Sequence, residues 1–304
     1  MNENELREEY QLSNHQWDIF KDLQAKRNMP DFLSKLSNEE WIWNIAVETF
    51  GLSNRPTPSD LRFFQGKAEE RLKRLEEGER RYKWLTLKWN KPQMQRLIRQ
   101  WYCGMLVIDP NLVTRDGNPI QFVREYYGED SGYPLPADQS DEWKQDSMDS
   151  YVLLARSICL SYPMATSKGI VSVSDMQNFD WNKYDMGTKE RNANISSYIP
   201  NKLTRMIAFH PDDKMKDFYN DMLPAVRKKY GFVQYESFAD MVEGEGDFLP
   251  GNLPTFVGGT YTVDILACLQ HLFRREPDVL KLLEETYAEM EHAGDLPHPS
   301  HMPQ

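Results

Sequence analysis

Apolar residues divide the chain into a first part with helical spacing and a second part in which strand-like and helix-like runs alternate. Before residue 95, apolar side chains recur at helical intervals, as at Trp17, Phe20 and Leu23. From residue 104 onward, short apolar runs with strand character are separated by longer amphipathic stretches. Alternation of this kind is typical of α/β domains with a largely parallel sheet. The pattern therefore predicts an all-helical lobe followed by an α/β lobe.

Turn and cap residues mark where the predicted elements begin and end. Asp116 and Gly117 stand between the first two strand-like runs, which is a sequence signature of a β-hairpin. Gly231 ends a helix that begins at Asp212, in the position usual for a C-terminal cap. The predicted strands include residues 104–110, 168–176, 202–209 and 232–237, and the predicted helices cover residues 141–161, 190–199, 212–230 and two segments after Thr262 that meet near Pro277.

Two adjacent glycines, Gly258 and Gly259, precede the last two predicted helices. Glycine adopts backbone angles and allows close approaches that other residues avoid, so we expect the chain to turn closely against the sheet here. Thr262 is the expected N-cap of the helix that follows. We expect these glycines to shape the fold without contacting a ligand.

Composition excludes several classes of protein. The chain has 304 residues, of which 40% are hydrophobic, so it can bury a sizeable core. Its net charge of −11 argues against non-specific binding of nucleic acid, which needs a basic surface. The three cysteines lie far apart and show neither a disulfide framework nor metal-ligand spacing, as expected of a cytosolic protein. No apolar run approaches the roughly 20 residues that span a bilayer.

The search for catalytic chemistry finds no nucleotide-binding loop, nucleophile elbow or zinc-protease motif. Asp175, at the end of a predicted strand, is the one candidate carboxylate, because α/β sheets bind ligands at the carboxyl ends of their strands. No base, nucleophile or metal partner is recognisable beside it. His210 is interpreted as an isolated residue at a strand end, before Pro211 at the start of a helix. We therefore expect no enzyme, no metal and no cofactor.

Six segments, in order along the chain, resemble the sequence motifs of the CRAL-TRIO domain family. They are LRFFQGK at 61–67, ERRYKW at 79–84, DGNPIQF at 116–122, KGIVSVSDMQNF at 168–179, YIPNKLTRMIAFHP at 198–211 and NLPTFVGG at 252–259. Each motif alone is weak, because Asp-Gly turns and Leu-Pro pairs are common. Their shared order and spacing over residues 59–264 carry the resemblance.

The resemblance implies a helical N-lobe at residues 1–95, a CRAL-TRIO lipid-binding domain at 96–260, and C-terminal helices with a polar tail at 261–304. It further implies a monomer that is not an enzyme. Such a protein holds one lipid or other hydrophobic small molecule as cargo in an internal cavity and exchanges it at membranes. We accordingly expect a cytoplasmic protein that is peripheral at membranes and contacts their surface transiently.

The cavity is expected between the predicted sheet and a gate helix at residues 212–230. Candidate cavity residues are Ile170, Ser172, Ser174, Lys202, Thr204, Met206 and Ala208. The apolar stripe of the gate helix consists of Met215, Phe218, Tyr219, Met222, Leu223 and Val226, although periodicity alone favours packing on an ordinary core. The basic run Arg227, Lys228 and Lys229 either faces an anionic membrane or complements the helix dipole.

Departures from the family motifs leave the ligand open. Asn201 stands where members that bind phosphatidylinositol carry glutamate, although Lys202 keeps the basic residue of that motif. Ser172 keeps a hydroxyl used by phosphocholine-binding members, but Gln121 stands where those members carry tyrosine. Two other functions remain alternatives. One is an adaptor that binds a protein or a membrane phosphoinositide without transferring cargo, and the other is an enzyme that uses Asp175 with a second titratable group.

Overall fold

The structure is a computed structural model. It describes Asn14, Arg74, residues 77–84, 86–124, 140–162, 164–165 and 169–177, Phe179, Tyr198, residues 203–221, Pro224, Lys228, residues 231–246, Phe248 and residues 253–297. Nearly all of the predicted helical lobe before residue 77, and of the predicted helix at 190–199, lies outside these residues.

The described residues form an α/β fold around a mixed sheet of five strands. The strands are β1 (Leu106–Val113), β2 (Pro119–Arg124), β3 (Ile170–Asp175), β4 (Leu203–Phe209) and β5 (Phe232–Tyr235), and they lie side by side in that order. β1 is antiparallel to β2, and the remaining neighbours are parallel. The prediction of an α/β domain with a largely parallel sheet is confirmed, as is the hairpin at Asp116 and Gly117.

The helices follow the predicted pattern with one addition. They are α1 (Lys91–Tyr102), α2 (Asp141–Ser161), α3 (Asp213–Asp221), α4 (Phe238–Glu245), α5 (Ile265–Phe273) and α6 (Pro277–Ala293), and Thr255–Val257 forms a 3₁₀ turn. Helix α4 was not predicted, because its eight residues are too few for a clear apolar stripe. Its boundaries come from a serine cap, in which Ser237 Oγ accepts from the amide of Asp240, and from Gly246 in the left-handed conformation.

The N-cap of α5 differs from the predicted Thr262. Asp264 stands directly before the first helical residue, and its carboxylate accepts from the amide of Ala267 at 3.0 Å. A capping side chain must reach an amide in the first turn, which Thr262 is too far from the helix to do. The prediction of Thr262 was therefore wrong by two residues.

Gly258 and Gly259 are required for two different reasons. Gly258 has φ of 100°, a region that disfavours other residues. A Cβ atom on Gly259 would lie only 2.0 Å from the carbonyl oxygen of Leu253, so no side chain fits there. The turn that they make brings Tyr261 back beside Leu253, whose carbonyl accepts from the Tyr261 amide at 2.9 Å.

One large hydrophobic core joins α1, one face of the sheet, the 253–257 turn and the two C-terminal helices. Trp101 of α1, Phe122 of β2 and Phe273 of α5 are fully buried within it. Helix α6 adds Leu283 and Met290 from one side of the helix. One face of the sheet thus packs against this core.

A buried arginine fastens three separate segments to each other. Arg156 of α2 donates to the carbonyl oxygens of Trp84 and Leu87 at 2.9 and 3.0 Å. Its other terminal nitrogen lies 2.7 Å from a carboxylate oxygen of Glu276, at the junction of α5 and α6. The same carboxylate accepts from the hydroxyl of Ser157. This network joins α2 to the segment at residues 84–87 and to the junction of α5 and α6.

Candidate ligand site on the sheet

Successive side chains of a strand point to opposite faces, so the strand register sorts the sheet residues into two sets. The first set, which we call the core face, joins the large hydrophobic core. In the three central strands its apolar members are Ile120, Phe122, Val171, Val173, Ile207 and Phe209, all of them buried, and register also places Arg124, Asp175 and Arg205 on this face. Both faces of a parallel sheet are ordinarily apolar in this way.

The opposite set has a different composition, and we call it the mixed face. Register places its members from β2 to β5 in two rows, which are Gln121, Ser172, Met206 and Phe232 in one and Val123, Ser174, Ala208 and Gln234 in the other. In β1, Ile108 and Leu106 extend these rows, and Ile108 belongs to the large core. Four of the eight are polar, and the middle of the face carries two serines and an alanine. Ser172 and Ala208 are buried, whereas the other six are only partly buried.

Helix α3 covers the β4 and β5 side of the mixed face. Met215 packs with Met176 and Ala208 in a small separate cluster. The ring of Tyr219 meets that of Phe232 edge-on, with centroids 5.1 Å apart. The helix therefore lies over the mixed face and runs against the direction of the strands.

An ion pair holds the first turn of α3 to the sheet. Lys216 Nζ lies 2.7 Å from a carboxylate oxygen of Glu236, immediately beyond β5. Tyr219 contacts Phe232 at the other end of the strand, so these two contacts of α3 lie on either side of Gln234 along β5. The amide nitrogen Nε2 of Gln234 is buried and has no hydrogen-bond partner within the part of the chain that the structure describes.

The structure places the predicted cavity residues in three different surroundings. Ser172, Ser174, Met206 and Ala208 share the mixed face. The hydroxyl of Thr204 instead donates to the carbonyl oxygen of Ile170 at 3.1 Å, across a register shift between β3 and β4. Ile170 itself belongs to the large core. The remaining candidate, Lys202, lies outside the described residues.

The predicted gate residues are likewise divided. Met215 is buried against the mixed face and Tyr219 is half-buried, but Phe218 is 45% exposed on the outside of α3. Lys228 is helical and exposed. Met222, Leu223, Val226, Arg227 and Lys229 lie outside the residues whose side chains are described.

A polar cluster lies where β2, β3 and β4 end. Asp175 Oδ1 is 3.1 Å from Nδ1 of His210 and accepts from the backbone amide of Gln177 at 3.0 Å. The other carboxylate oxygen lies 4.0 Å from Nε of the buried Arg124. The interpretation of His210 as isolated was therefore wrong. Parallel strands end at the same edge of a sheet, so the residues that follow β3 and β4 meet there although they are far apart in sequence.

The same cluster sets the direction in which the chain enters α3. His210 has φ of 54°, in the left-handed region that histidine, asparagine and aspartate tolerate better than most residues. Two residues later, the carboxylate of Asp212 accepts from the amide of Met215 at 2.7 Å and caps the helix. The contact between Asp175 and His210 thus fixes the sharp turn from β4 into the helix above the mixed face.

Polar side chains on the core-face side of β5 form hydrogen bonds with each other. The hydroxyl of Tyr235 donates to a carboxylate oxygen of Glu245 at 2.8 Å, and Arg205 donates to the same oxygen at 2.8 Å. Burial, followed by the hydrogen bond to Glu245, raises the pKa of Tyr235 from 10.0 to about 12. Gln234, the preceding residue, faces the other way and lacks such a partner among the described residues.

Two searches of the described residues bear on other kinds of site. They contain no group of three or more histidine, cysteine, aspartate or glutamate side chains that could hold a metal ion. None of the helices among them is both long and apolar enough to cross a membrane.

Sequence comparison adds no relative. A scan against protein-family models finds none that matches the chain, and a search of curated proteins finds no match either. Any function must therefore be argued from the motifs and from the geometry of the site.

Proposed function

We propose that the protein binds one lipid or other hydrophobic molecule on the mixed face of the sheet, beneath α3, and exchanges it at membranes. The observation that carries the proposal is the contrast between the two faces of the same strands. The core face is filled with large apolar side chains, whereas the mixed face carries Ser172, Ser174 and Ala208 at its centre.

Short side chains under a covering helix favour a ligand over an ordinary core. A parallel sheet without a ligand normally packs branched apolar residues against helices on both sides. Serine in such a position adds little buried apolar area and brings a hydroxyl that needs a partner. A bound molecule supplies the missing apolar surface, at about 0.8 kcal/mol for each CH₂ group removed from water.

The resemblance to CRAL-TRIO domains supports the same location. The motif that resembles the Gly-Ile strand of that family is β3, and the motif before Pro211 is β4. These two strands form the centre of the mixed face, and the gate helix predicted at residues 212–230 includes α3. Small side chains at the centre also favour cargo binding over the adaptor alternative, for which we expect large polar side chains to fill the space.

Exchange at a membrane requires the covering helix to move. Helix α3 is short, contributes a single buried side chain, Met215, and presents Phe218 to solvent. Elements with few buried apolar contacts open at low free energy. We propose that α3 opens at the membrane and that Phe218 contacts the bilayer when it does.

Lipid capture by the full chain tests the proposal. The protein is incubated with vesicles of a natural lipid extract, purified again and examined by native mass spectrometry. We expect one lipid per chain, and we expect Ser174→Leu to reduce the bound fraction because leucine fills the centre of the mixed face. Thr262→Leu, at an exposed position, is the matched control and keeps the wild-type fraction. Failure of the wild-type protein to retain any lipid would refute the proposed function.

A further inference from the structure

We propose that Gln234 binds an oxygen atom of the ligand, so that the preferred cargo is an uncharged lipid with a hydroxyl or carbonyl group. The inference rests on the proposed function and adds to it the chemical class of the ligand. It is carried by the amide nitrogen of Gln234, which is buried without a hydrogen-bond partner among the described residues and lies on the mixed face.

The neighbours of Gln234 along β5 and across the sheet define its position. Along β5, the contact of Tyr219 with Phe232 and the ion pair of Lys216 with the largely exposed Glu236 bracket it, and its amide nitrogen is buried. Across the sheet, its register neighbours in the same row are Ala208 and then Ser174. Both have short side chains, so a ligand that lies over the centre of the mixed face can approach the amide along this row.

A buried amide nitrogen without an acceptor is unfavourable, because it has lost its hydrogen bonds to water. When α3 opens, water can again form hydrogen bonds with the amide. Without a ligand, the amide therefore does not favour the closed position of the helix. A ligand that places an acceptor oxygen beside Nε2 removes the penalty while α3 is closed. Gln234 thereby couples closure of α3 to the presence of an oxygenated ligand.

The neighbouring polar groups indicate which acceptor fits. Gln121, Ser172 and Ser174 offer one amide and two hydroxyls on the same face, all uncharged donors and acceptors. Such groups satisfy an alcohol, aldehyde, ketone or ester. An ionised phosphate in the same place would carry its charge out of water against neutral partners, which is strongly unfavourable.

Two ligands that differ only in one oxygen test the inference. The full-length protein is incubated with an equimolar mixture of hexadecanol and hexadecane, purified again, and the two ligands are extracted and quantified by gas chromatography. We expect wild-type protein to retain about tenfold more alcohol than alkane, the usual effect of one buried hydrogen bond. Gln234→Leu should retain the two about equally and should be no less stable to heat without ligand, since it removes an unpaired polar group.

Gln145→Leu is the matched control, because it makes the same substitution at an exposed position of α2, outside the mixed face. It should keep the preference for the alcohol, and loss of the preference in this variant would overturn the role of Gln234. Equal retention of both ligands by the wild-type protein would overturn the inference.

A parallel incubation uses vesicles of phosphatidylcholine and phosphatidylinositol. Retention of phospholipid alone would overturn the ligand class and leave the proposed function standing, whereas retention of no lipid would overturn both.

Discussion

The two faces of the sheet are made by the same strands and share every backbone hydrogen bond, yet their side chains have opposite characters. On the core face, Phe122, Val173 and Phe209 are fully buried in one continuous core. On the mixed face, polar and short side chains alternate with apolar ones, and among the described residues α3 covers part of it. The difference is the basis of the proposal that the mixed face holds a ligand.

Polar groups lie on both sides of the sheet. On the core-face side, Asp175 pairs with His210 and Tyr235 with Glu245, although Nε1 of Trp101 within the core has no hydrogen-bond partner among the described residues. On the mixed face, the amide nitrogen of Gln234 is buried without a partner among the described residues. Buried polar groups are normally paired, and the proposed ligand would supply the partner of Gln234.

The largest expected difference between the faces comes from truncating one large side chain on each. Phe122→Ala removes a fully buried ring that packs edge-on against Phe256, with centroids 6.2 Å apart, and should lower the free energy of unfolding by about 3–5 kcal/mol. Met206→Ala, on the half-buried mixed face, should lower it by only about 1 kcal/mol. Urea denaturation of the ligand-free protein measures both. Equal losses would mean that the mixed face is an ordinary core.

A smaller effect is expected where the core face ends in the polar cluster. Asp175→Ala removes a buried carboxylate beside the guanidinium of Arg124 and should destabilise the protein by about 3 kcal/mol. His210→Asn keeps a side chain that tolerates positive φ and can donate to Asp175, so its loss should stay below about 1 kcal/mol. Urea denaturation again gives both values. A large loss for His210→Asn would show that the imidazole has a role beyond this turn.

Particular residues show how much of this could be predicted from sequence. The Asp116 and Gly117 turn and the alternation of strand-like and helix-like runs were enough to predict the hairpin, the parallel strands and helix α2, because turn chemistry and periodicity are local. The same local signals predicted unusual φ values for both Gly258 and Gly259, but only Gly258 has a positive φ, whereas Gly259 is required by a close approach to Leu253. To predict the cap at Asp264 rather than Thr262, the first residue of the helix must be known to within one position. Periodicity does not define a helix boundary that closely.

The site itself depends on contacts that local patterns do not contain. The approach of His210 to Asp175 requires knowing that β3 and β4 are neighbours, and the burial of Gln234 requires the register of β5 against β4 as well as the path of α3. A signal for the first was present, since both residues end or follow strand-like runs. No pattern in the sequence around Gln234 distinguishes it from an ordinary strand glutamine.

The smallest expected effect is the change in protein stability with pH that comes from Tyr235, on the core-face side. The pKa of Tyr235 is raised from 10.0 to about 12 in the folded protein, so the folded state keeps the phenol proton more tightly than the unfolded chain does. The resulting stabilisation is fully present below pH 10 and is lost as the pH rises through about 12. Tyr235→Phe should therefore lose stability less steeply than wild type over this alkaline range. Parallel slopes in denaturant titrations of the two proteins would contradict the pairing.

Photo-crosslinking tests the distinction between the two faces most directly. The protein is loaded with a long-chain alcohol that carries a diazirine near the end of its chain, irradiated, digested and mapped by mass spectrometry. We expect adducts on mixed-face residues such as Met206 and Val123, or on Met215 above them, and none on Phe122 or Ile207. Adducts confined to the core face or to the outer surface, or a protein that gains no adduct, would contradict the account.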